Sequence, residues 1–240
     1  MTNLELANKI KSNFSDLDII TTHQIAGLIA KFFPDLSDST ISWKLNQLKS
    51  DGLINQVGRG LYDFKFKPSY SPNFSLKSKR LYNRIKILTK DEISLWDTQM
   101  INKIIGKTID RYWVFVSTDK TNLDHLFNET VDFSRQVFLH PDQDIINRYL
   151  LPQREAIIMS PLVSETPLFY DADYITLSIE GLLVNIWLKY QNYLEPIGYD
   201  LNEIFNMAFK KYNINISKLL RYAARRDKRN EISNYIKSIN

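Results

Sequence analysis

The strongest constraint on this chain is a set of punctuated apolar spacings between residues 17 and 67. Ile25, Leu28, Ile29, Phe32 and Phe33 fall at i, i+3, i+4, i+7 and i+8, the stripe of a helix with one face in a core. Thr21 or Thr22 can cap its start, and Pro34 stops it because proline cannot continue the hydrogen-bond ladder. Ser37 or Asp38 can cap a further helix that ends near Gly52. Ahead of these lie a short helix over 1–16, with Leu4, Leu6, Ile10 and Phe14 as its apolar residues, and a small strand at Ile19-Ile20. Two strands follow, at 53–57 and 61–66, joined by Gly58-Arg59-Gly60, whose glycines permit the positive φ angles of a tight hairpin. In the second strand Tyr62, Phe64 and Phe66 point one way and Asp63 and Lys65 the other. This order of elements is the one a winged helix-turn-helix requires.

The chemistry of the helix over 39–50 sharpens that expectation. At 100° per residue, Ile41, Leu45 and Leu48 cluster on one side. Ser39, Trp43 and Gln47 lie on the other, with Thr40 and Asn46 nearer its edges and Lys44 and Lys49 on the flanks. Asn and Gln can pair with adenine edges, Ser and Thr reach bases or phosphates, and lysines supply salt-dependent phosphate attraction. Arg59 at the hairpin tip can enter a minor groove or contact the backbone. Ser39, Thr40, Trp43, Lys44, Gln47 and Arg59 are therefore the expected DNA-binding residues, with duplex DNA as partner. A different use of the same face remains open: exposed tryptophans mark protein interfaces, so Trp43 can equally dock a protein.

The remaining composition narrows the classes. The chain has 240 residues, 44% hydrophobic and 24% charged, enough apolar material for two cores. It has no cysteine, which excludes disulfides and thiolate metal sites. The first residues lack the plan of a signal peptide, and the most apolar stretch, 175–188, is interrupted by Glu180 and too short for a bilayer. A cytoplasmic protein without a membrane partner is expected. The net charge of +4 is segregated. Residues 1–90 carry 14 Lys and Arg against 7 Asp and Glu, residues 91–215 carry 10 against 18, and residues 216–240 carry 7 against 2. A basic front and a basic tail flanking an acidic middle suggest surfaces with separate partners.

The expected fold is α+β, in three parts. Residues 1–67 make the winged helix. Residues 68–90 make a basic linker, rich in Pro and Ser at its start and carrying Lys77, Lys79, Arg80, Arg84, Lys86 and Lys90. Residues 91–240 make a mixed α/β domain with a helical C-terminal part. Its strands are expected at 112–117, 136–139 and 156–160 and its helices at 94–105, 121–131 and 142–149, with only helices beyond 178, over 179–194, 201–212 and 217–239.

No catalytic pattern is complete in the sequence. Asp171-Ala172-Asp173 has the spacing of a metal-binding carboxylate pair but no preceding Gly-Ser, and Glu155-Ala156-Ile157 lacks the lysine of a nuclease strand. His23, His125 and His140 are scattered, and no phosphate loop or nucleophile elbow is present. No enzyme activity, cofactor or metal is expected. A metal-dependent nuclease or transferase would need Asp171, Asp173 or Glu155 gathered around a cation.

In the tail, Lys218, Arg221 and Arg225, with Arg229 beyond, share one helical face, and Arg226 adjoins it, while Leu219, Leu220 and Ala223 can pack inward. Lys218, Arg221, Arg225 and Arg226 are the expected partner-binding residues, on local chemistry alone. Three stretches carry a family resemblance: Trp96-Asp97-Thr98 with Asn102-Lys103-Ile104-Ile105-Gly106, then Ser160-Pro161-Leu162-Val163-Ser164-Glu165-Thr166-Pro167-Leu168, and Tyr212-Asn213-Ile214-Asn215-Ile216-Ser217 through Arg226. With them the chain resembles an uncharacterised bacterial domain family related to the AbiEi-type antitoxins, over nearly its full length. The resemblance implies an N-terminal winged helix joined to a larger C-terminal domain in a bicistronic, type IV toxin–antitoxin pair of phage defence. It further implies a repressor that binds repeats in its own promoter and counters a toxin of nucleotidyltransferase fold, with which it need not form a stable complex. The helix over 178–194 is less regular than the family's. A monomer or weak dimer pairing on DNA would suit repeated half-sites. The alternative is a winged-helix interaction protein, or a stand-alone transcriptional regulator with no toxin partner.

Overall fold

Thr2, Thr21 and Ser37 stand in extended backbone, and each accepts an amide from the turn that follows, at 3.2, 3.2 and 3.3 Å. These caps satisfy otherwise orphaned donors and start α1 (Asn3–Asn13), α2 (Thr22–Phe32) and α3 (Asp38–Ser50). Glu5 and Gln24 return a bond to the capping residue, closing two capping boxes. The computed structural model describes residues 1–17, 19–64 and 68–239.

By contacts the chain divides into two units: residues 1–69 with 212–217, and residues 70–211 with 218–240. In the first, β1 (Ile20–Thr21), β2 (Asn55–Gly58) and β3 (Leu61–Asp63) form an antiparallel sheet in the order β1-β3-β2. Leu6 and Ile10 of α1, Ile25 and Ile29 of α2, Ile41, Leu45 and Leu48 of α3, and Ile20, Ile54 and Tyr62 meet in one buried cluster. Gly60 stands at φ +70° and its carbonyl accepts the Thr22 amide at 2.8 Å. A side chain there would be strained by that backbone and would meet the Thr22 hydroxyl at 3.1 Å. Two details depart from the sequence reading. Leu4 is exposed, and Asp63 is buried against Asn55, whose Nδ2 donates to it at 3.2 Å. Lys65, Phe66 and Lys67, the end of the expected second strand and its domain, lie outside the described residues.

The second unit begins where a linker was expected. Residues 76–88 form α4 (Leu76–Leu88), capped by Ser75 and burying Ser78, Tyr82 and Ile85. The burial spacing of i, i+4 and i+7 is that of a packed helix, so 68–90 is not a linker. The expected helix over 94–105 is two elements, β4 (Ser94–Asp97) and α5 (Thr98–Ile105). β5 (Tyr112–Thr118), α6 (Leu123–Val131), β6 (Val137–Leu139), α7 (Gln143–Ile145, continued as a π-helix through Leu150) and β7 (Glu155–Pro161) follow. The sheet order is β4-β5-β7-β6, with β4 antiparallel to β5 and the pairs β5·β7 and β6·β7 parallel. Trp113, Val114, Phe115 and Val116 are all buried, as in a strand covered on both faces.

A hairpin absent from the sequence reading, β8 (Leu168–Asp171) and β9 (Tyr174–Leu177), comes next. Then come α8 (Ile179–Lys189), a π-helical turn at Tyr190–Leu194, α9 (Leu201–Lys211), α10 (Ile216–Arg225) and α11 (Arg229–Ile239). The break in the expected single helix over 217–239 falls at Asp227, whose φ of +55° no helix accommodates. The fold is α+β. Among the described residues no helix is long and apolar enough to cross a membrane.

Two contacts fix the second unit. The Pro167 carbonyl accepts the Ser178 amide at 2.8 Å, and a side chain at Gly181 would meet that oxygen at 2.6 Å, so only glycine lets α8 come this close. Asp97 is buried at the junction of β4 and α5. One carboxylate oxygen caps α5 by accepting the Met100 amide at 3.0 Å, and the other accepts the Ser78 hydroxyl from α4. Ser78 is bonded in turn to the Tyr112 hydroxyl of β5 at 2.6 Å. Burial pushes the Asp97 carboxyl above the usual carboxylate range, against the opposing pull of Ser78 and Met100. Asp97→Ala should cost about 2–4 kcal/mol by losing the cap and the hydrogen bond to Ser78. Asp97→Asn, which keeps a cap and a hydrogen-bond acceptor, should cost less than half as much in urea unfolding. Equal losses would show that the carboxylate's contacts are not what ties α4 to the sheet.

Candidate functional site

Seating Ile41, Leu45 and Leu48 in the core turns the opposite face of α3 outward. Its exposed residues are Ser39, Ser42, Trp43, Asn46, Lys49 and Ser50. Trp43 is 56% exposed, unusual for the most apolar surface-forming side chain on an otherwise polar strip. The other expected readers sit differently. Thr40 is half-buried, its hydroxyl bonded to Ser37 at 2.9 Å. Lys44 is half-buried, with its ammonium 5.0 Å from the centre of the Phe33 ring. Gln47 accepts from Asn3 Nδ2 of α1 at 3.3 Å. The sequence wheel placed Ser39 and Trp43 correctly on the outer strip, but it treated Asn46 as an edge residue and passed over Ser42. Asn46 is exposed, and a period of 3.6 from Ser39 and Trp43 reaches it and Ser50 directly.

Arg59 is exposed at the hairpin between β2 and β3, and its own amide donates to Ser217 Oγ at 3.2 Å. In the same unit the Asn213 amide donates to the Pro68 carbonyl at 3.1 Å. Ser39, Trp43 and Arg59 thus belong to one unit, on its third helix and its hairpin.

The charge lies elsewhere than the sequence windows suggested. Residues 1–69 with 212–217 carry 8 Lys and Arg against 7 Asp and Glu. The surplus of the first 90 residues resides in Lys77, Lys79, Arg80, Arg84, Lys86 and Lys90, on or just after α4. Several of these have partners inside their own unit. Lys77 pairs with Glu155 and lies 4.7 Å from the Tyr112 ring centre, Lys79 lies over Tyr174, Arg84 stacks 4.0 Å from Phe133, and Lys86 donates to the Asp91 carbonyl. A near-neutral first unit implies weak non-specific attraction to nucleic acid and a shallow salt dependence.

The expected partner-binding cations of the tail are mostly engaged too. Lys218 pairs with the buried Glu180 at 3.3 Å, and Arg221 and Arg225 reach Glu165 at 3.9 and 3.3 Å. Arg225 also donates to Ser164 at 2.8 Å. Arg226 has no ion pair among the described residues and faces a cavity. Inward packing on α10 is by Leu219, Tyr222 and Ala223, with Tyr222 in place of the expected Leu220. Asp171 and Asp173 flank Ala172, at φ +49°, in the turn between β8 and β9, and Glu155 is held by Lys77. Among the described residues no three His, Asp or Glu side chains gather as a metal site.

Comparison with known proteins gives one family. Residues 40–240 match the model of a family of unknown function, DUF6577. No curated protein matches the chain.

The α3 face has a direct optical test. Of the four tryptophans, Trp96 and Trp113 are buried and Trp187 is half-buried, so Trp43 should give the emission that acrylamide quenches most readily. Trp43→Phe should remove that component and change stability by less than about 0.5 kcal/mol, as surface substitutions do. Retention of the readily quenched emission would mean that the α3 face is covered.

Proposed function

The chain belongs to DUF6577, and we propose that it is a sequence-specific DNA-binding protein whose first unit is a winged helix-turn-helix. The observation that carries this reading is the pairing of a core-seated α3, presenting Ser39, Trp43, Asn46 and Ser50 to solvent, with the exposed Arg59 at a two-strand hairpin tip. In this mechanism α3 lies in a major groove. Asn46 offers a donor and an acceptor to one adenine, the bidentate pairing that Asn and Gln make. Ser39 and Ser50 contact phosphates near the two helix ends, and Arg59 reaches the adjacent minor groove or backbone. Thr40, Lys44 and Gln47 support the helix from its flanks through Ser37, Phe33 and Asn3. Because the unit is nearly neutral, affinity rests on a few directed contacts rather than on a charged surface.

The biological setting rests on the resemblance to the AbiEi-type antitoxins. It is a cytoplasmic, non-enzymatic autorepressor of a bicistronic pair, bound to promoter repeats and countering a nucleotidyltransferase-like toxin. One observation favours a second reading: the 56% exposure of Trp43 on a near-neutral surface also suits a protein partner.

A mobility-shift titration of the full chain on duplex from its own upstream region separates the two. DNA binding predicts a repeat-specific complex. Asn46→Ala should lose about 1–3 kcal/mol of discrimination between the repeat and a mutated repeat. Arg59→Ala should lower the slope of log affinity against log salt by about one unit, one phosphate contact. If both variants bind as the parent does at every salt concentration, this face does not read DNA.

A further inference from the structure

The parallel strands β5, β7 and β6 end on one edge of the second unit's sheet, the edge outside which open α/β sheets take their ligands. A cavity of about 350 Å³ lies there. Ser117 and Ser160, opposite one another in the β5·β7 register, share a hydrogen bond of 3.2 Å at its floor. His140 follows directly on β6 with φ +42°, a left-handed backbone that histidine adopts more readily than most side-chain-bearing residues. Lys189 at the end of α8 and Arg226 just beyond α10 complete the ring of polar groups. Ser160–Thr166 and the pair Tyr222 and Arg226, far apart in the chain, thereby contribute to one site, together with Trp96.

Every lining side chain able to carry a charge near neutral pH is a base: His140, Lys189 and Arg226, with no carboxylate among them. The other ionisable groups are the phenols Tyr193 and Tyr222, neutral in this range. Lys189 is half-buried, and its ammonium lies 5.0 Å from the ring centres of Phe115 and Tyr193. Among the described residues no carboxylate pairs with it. Burial first, and then the charge of Arg226, pushes its pKa down to about 8. His140 is lowered by burial and then by Lys189, against the opposing pull of the Asp124 carboxylate, which lies outside the lining. The contrast with the neighbouring cations is sharp: Lys218, Arg221 and Arg225 all have glutamate partners. Like charges left facing one another in a partly dry cavity are unfavourable, and a bound anion removes that penalty.

We propose that this cavity binds a small organic phosphate, its phosphoryl group held by Lys189, Arg226 and His140 over the hydroxyls of Ser117 and Ser160. A phosphate carries between one and two negative charges at neutral pH and three acceptor oxygens, which matches several cationic donors with two hydroxyls better than a carboxylate does. The volume falls in the range of small-molecule sites, roughly 300–1,000 Å³. Leu162, Val163 and Leu188 offer an apolar wall to the rest of the molecule. This site stands apart from the DNA-binding reading and survives its failure.

Thermal unfolding of the full chain tests it, in a phosphate-free buffer with potassium chloride matching ionic strength throughout. Inorganic phosphate, ribose 5-phosphate and adenosine monophosphate are the probes. A saturable rise in Tm is expected with the probes and not with chloride, since a ligand that binds only the folded state stabilises it. At least one of the two esters should reach half-effect at a concentration at least tenfold lower than inorganic phosphate. Lys189→Met should raise the Tm of the unliganded protein by relieving the charge crowding, while weakening the response at least tenfold; Arg226→Gln should weaken it similarly. A rise equal to that in chloride overturns the site, as does an undiminished response in both variants. A lower Tm for unliganded Lys189→Met overturns the crowding argument, and equal potency of inorganic phosphate and both esters overturns the organic ligand.

Discussion

Much of what this chain presents to solvent in its first unit follows from the seating of three side chains. Ile41, Leu45 and Leu48 of α3 are buried with Ile25 and Ile29 of α2 and Leu6 and Ile10 of α1. Their burial is worth roughly 1.5–3 kcal/mol each, and a one-residue rotation of the helix would forfeit it. That rigid phase decides that Ser39, Trp43, Asn46 and Ser50 face outward and that Thr40, Lys44 and Gln47 face neighbouring segments. A hydrogen-bonding strip of defined geometry on a rigid element is what base readout requires, since a contact displaced by an ångström or two loses its discrimination.

Much of the first unit was legible in the sequence because its signals are local. Thr21 and Ser37 cap the helices expected of them, Pro34 lies just past Phe33, and Gly60 adopts the positive φ that a tight hairpin needs. The second unit was less legible because its signals are not. β4 is buried at all four positions, so it shows no alternation, and Asp97 serves at once as its last residue and the cap of α5. The window therefore read as one helix. α4 reads as a linker in sequence because a Pro- and Ser-rich start precedes it and its cations outnumber a buried face of only Ser78, Tyr82 and Ile85. The β8–β9 hairpin turns through Ala172 in a left-handed conformation, which no glycine advertises.

Charge illustrates the same limit. Summed over 90 residues, the front of the chain looks strongly basic, yet the unit bearing α3 is almost balanced and the cations belong to α4. In the tail, helical spacing located a cationic face correctly but could not foresee that Glu180 and Glu165, distant in sequence, would neutralise most of it. Arg226, the least regular member of that set, is the one left facing a cavity with Lys189. Its place beside the ends of β5, β6 and β7 emerges only when the strands are paired.

The most direct test of the central claim is to place a photo-crosslinking side chain at position 46 of the full chain, and separately at the exposed position 31 of α2, bound to upstream duplex. The account predicts crosslinks from position 46 to bases of the repeat through the major groove, and none from position 31. Crosslinks from position 46 only to protein, in a sample where the duplex is bound, would contradict it.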